Sequence, residues 1–383
     1  MSAFPEPPRD VYDMIRNGVA IVAHPLALTR DRRIDESRQR ALTIYYLVSG
    51  AGGVAIGVHT TQFKVHENGM YEPLLKITAE TIDQCSGRVG KVVKVAGIVG
   101  NTQQAVKEAR LAYGLGYHAG LVSLHSLAGE SQDRIIEHVK AVAREIPVFG
   151  FYLQPAVGGV RLSYGFWRRL IEEVENMVAI KVAPFNRYAT IDVARAVADA
   201  GKVGEVALYT GNDDNIIIDL LTKFKFTDRR GGINEVKVVG GLLGHWSFWT
   251  KRSMEIFRLV KSVAESEHIP KELLTLSAQI TDVNGAVFDA ANDFKGVIPG
   301  INEVLRRSRL LTGRWTLNQD EDLSPGQLEE INRVYSSYPH LRDDDFTVKH
   351  VDEWIRGECT GWGELRELSL SDVKLMLSGA YGR

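Results

Sequence analysis

The feature that most restricts the fold is a regular alternation of short apolar runs with longer segments of helical periodicity. Short continuous apolar runs are typical of strands buried on both faces, and apolar residues at helical spacing indicate amphipathic helices. Eight such pairs occupy about 240 residues. The predicted strands cover residues 19–23, 53–58, 92–96, 120–124, 148–153, 176–182, 206–209 and 236–239. Their number and spacing predict a (β/α)₈ TIM barrel.

A doubly wound open sheet is the alternative architecture. Such a sheet usually carries a glycine-rich nucleotide fingerprint directly after an early strand. The glycines at Gly50, Gly52 and Gly53 instead come before or at the start of a predicted strand. The sequence therefore favours the barrel.

The remaining segments surround the barrel. We expect an N-terminal segment over residues 1–18, the barrel over 19–248, a C-terminal helical cap over 249–315 and a polar helical tail over 316–383. Ser324 and Ser371 are predicted to cap helices in the tail. No residue pattern in the tail indicates chemistry, so we interpret it as a packing or interface element.

Composition excludes several classes of protein. The 383 residues are 44% hydrophobic and 25% charged, as in ordinary globular proteins. With 46 basic and 48 acidic residues and no basic stripe, no nucleic-acid partner is expected. No apolar run is long enough to span a bilayer, and the first ten residues, with three prolines, do not resemble a signal peptide. No membrane association is therefore expected.

The two cysteines bear on the cellular compartment. Cys85 and Cys359 are far apart in the sequence and lack metal-ligand spacing. We therefore predict neither a disulfide framework nor a metal site, and a reducing cytoplasm as the location.

Lys181 is the candidate nucleophile. It lies near the end of the apolar run N-M-V-A-I-K-V at residues 176–182. A lysine is almost never fully buried without a partner, and in an apolar site it tends to lose its proton. A neutral amine attacks ketones to form a Schiff base. The structural alternative is a lysine whose ammonium group reaches solvent at the strand end.

Polar residues and glycines follow most of the other predicted strands. In TIM barrels, catalytic groups cluster at the C-terminal ends of the strands. This rule selects His59, Thr60, Thr61, His125, Ser126, Tyr152, Lys181, Thr210, Gly211, Asn212, Asp213, Gly240 and Gly241. We expect these residues to converge on one site, although Asp213 and Asp214 are also typical of a helix N-cap and a first-turn acid.

Four motifs at these strand ends carry a family resemblance. The order and spacing of H-T-T-Q-F, F-Y-L-Q-P, V-A-I-K and Y-T-G-N-D-D are similar to those of the dihydrodipicolinate synthase/N-acetylneuraminate lyase family. This is the pyruvate-dependent class I aldolase superfamily. The early P-L-A-L-T and R-I-D segments also fit, so the resemblance extends over about residues 19–315. It implies a barrel with a helical cap, lyase chemistry without a cofactor or metal, and a homo-oligomer, either a dimer or a tetramer.

The resemblance implies roles for particular residues. Lys181 would form the Schiff base with pyruvate or another 2-oxo acid. Tyr152 would carry protons to and from the imine and the reacting carbon–carbon bond. Thr60 and Thr61 would bind the carboxylate of the 2-oxo acid, and Thr60 would also relay a proton to Tyr152.

Other candidates would bind the substrate. Gly240 and Gly241 would let the backbone approach it closely. His59 precedes the threonine pair, and His125 stands where the family typically supplies a tyrosine from a neighbouring subunit. Each position also has a structural interpretation, as a turn, a tight loop or a packed histidine.

Two departures from the family affect the substrate. The family's G-T-T-G-E motif is H-T-T-Q-F here, and the arginine that binds aspartate semialdehyde after the fifth strand is absent from residues 153–157. The lysine-pathway reaction is therefore not expected. An acceptor site for an aromatic or alkyl aldehyde is predicted from the aromatic residues Phe63, Phe151, Phe185, Trp246, Phe248 and Trp249, which could alternatively pack the cap against the barrel.

The sequence thus predicts a Schiff-base-forming lyase that condenses or cleaves a 2-oxo acid with an aldehyde. A dehydratase or hydratase-aldolase of the same superfamily, and a homologue that binds 2-oxo acids without turnover, are alternatives. A metal-dependent barrel hydrolase or lyase is a further one. Its candidate ligands are His24, His59, His125, His245 and Asp213.

Overall fold

The computed structural model of the chain describes residues 4–228 and 231–379. The predictions for the two terminal segments fall partly on residues 1–3 and 380–383, which lie outside the described residues. The strands are β1 (Ala20–Ala23), β2 (Gly53–Ile56), β3 (Val93–Ile98), β4 (Ala119–Val122), β5 (Val148–Tyr152), β6 (Met177–Val182), β7 (Ala207–Thr210), β8 (Lys223–Thr227) and β9 (Ile233–Leu243).

Helices alternate with these strands and continue beyond them. They are α1 (Arg9–Asn17), α2 (Glu36–Val48), α3 (Tyr71–Val89), α4 (Thr102–Gly114), α5 (Gln132–Ala143), α6 (Tyr164–Glu173), α7 (Arg187–Asp199), α8 (Ile216–Leu221), α9 (Thr250–Val263), α10 (Glu272–Val287), α11 (Val297–Arg307), α12 (Gln327–Ser337), α13 (Asp344–Ile355) and α14 (Leu370–Leu377). Within the described part of the chain, no helix combines the length and the apolar character needed to cross a membrane.

The strands close into a parallel barrel. From β1 to β7 each strand pairs with the next in the sequence, β7 pairs with β9, and β9 returns to pair with β1. The described residues thus form an eight-stranded barrel with helices between its strands, and the TIM-barrel prediction is confirmed. The C-terminal helices follow the barrel as expected.

The N-terminal helix closes one end of the barrel. Val11 and Ile15 of α1 belong to the same apolar cluster as the inward-facing side chains of the strands. The Tyr209 hydroxyl, which projects from β7 inside the barrel, donates a hydrogen bond of 2.8 Å to the Ile15 carbonyl. Helix α1 therefore covers the N-terminal end of the barrel strands.

The region after β7 differs from the prediction. The strand–helix alternation predicts only a helix between the strands at 206–209 and 236–239, but α8 ends at Leu221, and β8 pairs with β9 as an antiparallel hairpin. The K-F-K-F-T sequence of β8 alternates charged and aromatic residues, which is the pattern of a half-buried strand. Phe224 is accordingly buried, whereas Lys223 and Lys225 are exposed.

The two helix caps predicted in the tail are also corrected. Earlier in the chain, Asp35 and Asn101 cap α2 and α4 by accepting hydrogen bonds from their first turns. Ser324 does not cap α12, because a glycine in the left-handed region precedes that helix. Ser369, rather than Ser371, caps α14.

The C-terminal tail folds back onto the barrel helices. Helix α13 packs on α2, and α14 packs on α10. Cys359, which follows α13, forms a disulfide with Cys85 of α3. The prediction that the cysteines do not pair is therefore wrong, because a sequence separation of 274 residues does not prevent contact once the tail returns to α3. The inference of a reducing cytoplasm loses its cysteine-based support.

Removal of this disulfide is expected to destabilise the fold. Cys85→Ser should lower the free energy of unfolding by about 2–4 kcal/mol, because the crosslink restricts a long loop in the unfolded chain. Urea denaturation of the oxidised protein with and without a reductant measures the effect. The reduced wild-type protein should unfold close to the variant. Equal midpoints for oxidised and reduced wild-type protein would contradict the prediction.

Candidate active site

Lys181 lies inside the barrel, near the C-terminal end of β6. In the strand register it stands between Phe151 of β5 and Tyr209 of β7. The residue is 8% exposed, and its Nζ lies 4.7 Å from the centre of the Phe151 ring. Burial lowers the pKa of the Lys181 amine to about 8, and the negative charge of Asp213 partly opposes this shift. A substantial fraction of the amine is therefore neutral near physiological pH.

A second buried lysine provides a contrast. Lys94 of β3 is 9% exposed, but its Nζ lies 3.0 Å from the carboxylate of Asp83. Lys181 forms no such ion pair with residues 4–228 or 231–379; its charged neighbour, Asp213, acts on it at longer range. Lys181 thus combines burial with the absence of a counter-ion, which is the condition for a nucleophilic amine.

Asp213 lies in the loop after β7 and lines the same cavity as Lys181. It is 9% exposed, and its Oδ1 accepts a hydrogen bond of 2.9 Å from the backbone N–H of His245. Burial raises the pKa of Asp213 to about 7, against the opposing effects of this hydrogen bond and of the Lys181 charge. The interpretation of Asp213 as a helix N-cap is wrong, since its carboxylate is bonded to His245 and α8 begins only at Ile216.

Gly211 provides the space for the lysine side chain. A Cβ at this position would lie 2.5 Å from Lys181 Cε and 2.6 Å from the Ala183 Cβ. Real Cβ atoms do not approach other atoms this closely, so any larger residue would displace the lysine. Sequence reasoning placed Gly211 at a strand end but assigned it no role.

The segment after β2 forms a turn beside the lysine. His59 and Thr60 both line the cavity. Desolvation of the His59 ring, together with the positive charge of Lys181, lowers the pKa of His59 to about 4. Thr60 Oγ1 donates to the His24 carbonyl at 3.3 Å.

Thr61 does not line the cavity, and its hydroxyl forms hydrogen bonds with backbone groups instead. Its Oγ1 donates to the His24 carbonyl at 2.6 Å and accepts from the N–H groups of Gly57 and Val58. These bonds tie the end of β2 to the end of β1. The structure therefore brings Thr60 but not Thr61 to the candidate site.

The cavity has a volume of about 70 Å³. Its mouth is lined by apolar side chains. Its walls include Phe185 after β6 and a set of side chains from the region of α10 and α11, namely Phe288, Phe294, Val297 and Ile301. Phe185 adopts a φ of 49°, and its N–H donates to Asn212 Oδ1 at 3.0 Å. Bulky residues rarely occupy this left-handed region, so the bond to Asn212 holds the ring in a strained position.

The tail holds the segment that carries two of these aromatic residues. Gln327 of α12 donates through its Nε2 to the carbonyls of Val287 and Gly296, at 3.1 and 2.9 Å. The Ser324 hydroxyl donates to Asp289 Oδ2 at 2.5 Å. Both ends of the segment between α10 and α11 are thereby fixed from outside the cavity.

A sequence profile described as the Dihydrodipicolinate synthetase family matches residues 18–222. The match extends over more than half of the 383-residue chain. The chain belongs to the dihydrodipicolinate synthetase family.

Curated relatives within this family carry different activities in their names. A probable 5-dehydro-4-deoxyglucarate dehydratase from Acinetobacter baumannii is 28% identical over 162 residues, which are 42% of this chain and 49% of that protein. A 4-hydroxy-tetrahydrodipicolinate synthase from Nitratidesulfovibrio vulgaris is 26% identical over 189 residues, which are 49% of this chain and 61% of that protein. The chain therefore spans about half, or slightly more, of the length of these relatives.

Solved structures of family members share the fold. The 4-hydroxy-tetrahydrodipicolinate synthase of Methylacidiphilum fumariolicum SolV superimposes with a TM-score of 0.68 at 18% identity, covering 88% of this chain and 99% of that one. The chloride-inhibited dihydrodipicolinate synthase of Acinetobacter baumannii, complexed with pyruvate, gives a TM-score of 0.66 at 19% identity, covering 83% and 98%. At these identities the likeness establishes the fold alone.

Tyr152, the tyrosine that the family resemblance assigned to proton transfer, does not reach the cavity. Neighbouring residues of a strand point to opposite faces, and it is Phe151 that points inward beside Lys181. Tyr152 packs against Trp167 in the layer between barrel and helices, and its hydroxyl donates to the Leu162 carbonyl at 3.1 Å. The expectation that Tyr152 lies next to the lysine is therefore wrong.

Gly240, Gly241 and His125, which the family resemblance assigned to substrate binding, likewise do not line the cavity. A Cβ on Gly240 would lie 2.4 Å from the Val19 carbonyl oxygen, and one on Gly241 would lie 2.6 Å from the Trp246 ring. These glycines permit close packing of β9, not substrate approach. His125 Nδ1 lies 2.8 Å from the Gly158 carbonyl oxygen, so His125 contacts the loop after β5 and not the lysine.

The aromatic residues divide between the site and the core. Of the six named from the sequence, Phe151 and Phe185 line the cavity. Phe63 contacts the His59 ring. The other three pack the C-terminal helices against the barrel, as in the alternative interpretation, and are Trp246, Phe248 and Trp249. Phe288 and Phe294, which sequence analysis did not select, supply the rest of the aromatic wall.

The five candidate metal ligands do not form one cluster, although His59 and Asp213 line the same cavity. His24 is bonded to Thr43 and His245 to Asn284, each within its own part of the core. Among the residues that the structure describes, no three histidine, cysteine, aspartate or glutamate side chains are grouped as a metal ion would require.

Proposed function

We propose that this protein is a Schiff-base-forming lyase that condenses or cleaves a 2-oxo acid, such as pyruvate, with an aldehyde. The observation that carries the proposal is Lys181, a buried amine with a pKa of about 8 that forms no ion pair with the described residues, near the C-terminal end of a strand in a barrel of this family. Its lone pair would attack the keto carbon, and loss of water would leave an imine. The cationic imine then accepts the electrons of a breaking carbon–carbon bond.

The lining of the cavity supports an apolar aldehyde as the second substrate. Apart from Lys181, its titratable side chains within the described residues are His59 and Asp213, and no arginine is present to bind a second carboxylate. Phe185, Phe288 and Phe294 would instead contact an aromatic or alkyl group. This composition argues against the lysine-pathway synthase reaction.

A dehydratase reaction is the second candidate, and it is favoured by the relatives that carry this name. Both reactions begin with the same imine at Lys181 and differ in the group that leaves. The acid named in those relatives is polar and bears two carboxylates, whereas the cavity wall here is mainly apolar. We therefore favour the lyase.

Borohydride reduction tests the proposal directly. Incubation with pyruvate and sodium borohydride should add the reduced pyruvyl group to the peptide that contains Lys181, as detected by mass spectrometry. The peptide with Lys94 is an internal control, because its ammonium group is paired with Asp83 and should not react. Absence of an adduct at Lys181 with pyruvate and related 2-oxo acids would refute the proposal.

An aldehyde panel tests the second substrate. Condensation of pyruvate with aromatic and alkyl aldehydes should be faster than with aldehydes that bear a carboxylate, because the latter would bury an unpaired charge against the phenylalanines. Chromatography of the products after equal incubation times measures the order. Preference for acidic aldehydes would contradict the apolar site, and lack of any turnover alongside an adduct would support a binding protein.

Assembly and location are further parts of the proposal. We infer a homo-oligomer, either a dimer or a tetramer, from membership of the family, and sedimentation analysis would test it. A cytoplasmic location, without nucleic-acid or membrane partners, also stays a prediction. The disulfide between Cys85 and Cys359 argues against a strongly reducing compartment.

A further inference from the structure

The proposed lyase chemistry needs a group that removes and returns protons next to the imine. Tyr152 cannot fill this role from the opposite face of β5, where its hydroxyl is bonded to the backbone at Leu162. Phe151, which takes the inward position beside Lys181, has no proton to transfer. The proton carrier must therefore be sought among the other side chains of the cavity.

The described residues that line the cavity contain two ionisable candidates besides the lysine, His59 and Asp213. The pKa of His59 is lowered to about 4, so its ring is a poor proton acceptor when a cationic imine forms beside it. The pKa of Asp213 is raised to about 7, which lets it give up and take back a proton near neutrality. Asp213 is therefore better suited than His59 to accept and return a proton near neutral pH.

We propose that Asp213 is the general acid and base of the reaction at Lys181, in place of a tyrosine. This inference rests on the proposed Schiff-base function. Asp213 and Lys181 line one cavity, and the Lys181 side chain lies directly against Gly211 in the same loop, where an added Cβ would come within 2.5 Å of Lys181 Cε.

The loop fixes the carboxylate in place. Asp213 Oδ1 accepts from the His245 N–H at 2.9 Å, and the Asp213 carbonyl accepts from Asn284 Nδ2 at 2.7 Å. Asn284 is itself buried and lies within 2.7 Å of the His245 ring through its Oδ1. These contacts orient one carboxylate oxygen without neutralising the group by an ion pair.

The proton steps balance around this one carboxyl group. As imine formation completes, the acid form of Asp213 gives its proton to the carbinolamine hydroxyl, which leaves as water. In the cleavage direction the resulting carboxylate removes the proton from the C4 hydroxyl of the adduct. The C3–C4 bond then breaks, its electrons enter the iminium group to form an enamine, and the aldehyde departs. Asp213 returns the proton to C3, and water releases the 2-oxo acid from Lys181.

Deuterium exchange tests this role without knowledge of the aldehyde. In D₂O the wild-type protein should exchange the methyl protons of pyruvate through the imine and enamine, as followed by proton NMR. Asp213→Asn should slow this exchange about 100-fold or more, since general acid–base catalysis typically contributes that much. Borohydride trapping at Lys181, measured after long incubation, should still yield the adduct.

Two further variants test whether Asp214 or Tyr152, rather than Asp213, transfers the proton. Asp214→Asn removes the neighbouring carboxylate, which does not line the cavity, and should retain wild-type exchange. Tyr152→Phe removes the hydroxyl on the outer face and should also retain it. Rapid exchange by Asp213→Asn, or its loss in Tyr152→Phe alone, would overturn the assignment while leaving the lysine chemistry intact. Absence of an adduct in the wild-type protein would instead refute the proposed function itself.

Discussion

Lys181→Met is expected to abolish the borohydride-trapped adduct and to lower turnover of 2-oxo acids by a factor of about 10⁴ or more. Methionine keeps most of the volume of the buried side chain but has no lone pair that can attack a ketone. The variant should remain folded, because it replaces an unpaired buried amine by an apolar group. Mass spectrometry of the trapped peptide and a turnover assay measure the two effects.

Lys94→Met is the matched control. It makes the same substitution at a lysine of equal burial, but removes the ion pair with Asp83 and not a cavity residue. Its adduct should form as in the wild type. The trapping rate of the wild-type protein should also rise with pH through about 8, because the neutral fraction of the Lys181 amine increases as the pH passes its pKa. An adduct of normal yield in Lys181→Met would show that another amine reacts.

Gly211→Ala is expected to disrupt the site without removing any catalytic group. The added Cβ would lie 2.5 Å from Lys181 Cε, so the lysine chain must move away from the position it occupies beside β7. Misplacement of a reacting atom by about 1 Å can cost about 100-fold in rate. The strain of overpacking should also lower the free energy of unfolding by about 1–3 kcal/mol. Trapping kinetics and urea denaturation measure the two effects.

Gly87→Ala provides the comparison. Gly87 lies in α3, and a Cβ there has no atom within 4 Å, so the substitution tests the gain of a methyl group alone. It should leave trapping unchanged and raise the stability slightly, since alanine favours helices over glycine. Trapping at the wild-type rate in Gly211→Ala would mean that the lysine has an alternative path in the cavity.

The barrel and the buried position of Lys181 could be predicted from the sequence because both depend on local patterns. Each buried parallel strand gives a short apolar run, and the run at residues 176–182 contains a single charged residue. The same reasoning correctly brings His59, Thr60 and Asp213 to the strand ends, where they line the cavity with Lys181.

The side-chain directions could not be predicted so well. Phe151 and Tyr152 are adjacent in β5, and only the register of that strand decides which one faces Lys181. A motif match based on the following proline selects Tyr152, whereas the inward position belongs to Phe151. A difference of one residue thus exchanges a proton carrier for an apolar ring.

Contacts between distant segments were also beyond the sequence patterns. The pairing of Cys85 with Cys359 depends on the path of the chain over the 274 residues that separate them. Phe288 and Phe294 reach the cavity only because the segment between α10 and α11 crosses the open end of the barrel. No local periodicity encodes either event.

Gln327 gives the tail a part in shaping the cavity, although it does not line the cavity itself. Its side chain hydrogen-bonds to both ends of the segment that carries Phe288 and Phe294, yet it belongs to a helix that follows the cap. A chain cut after residue 315 would keep every described residue that lines the cavity, since the last of them is Ile301. It would nevertheless lose the hydrogen bonds from Gln327 that hold one wall of the cavity, so the unit that shapes the cavity extends well beyond its last lining residue.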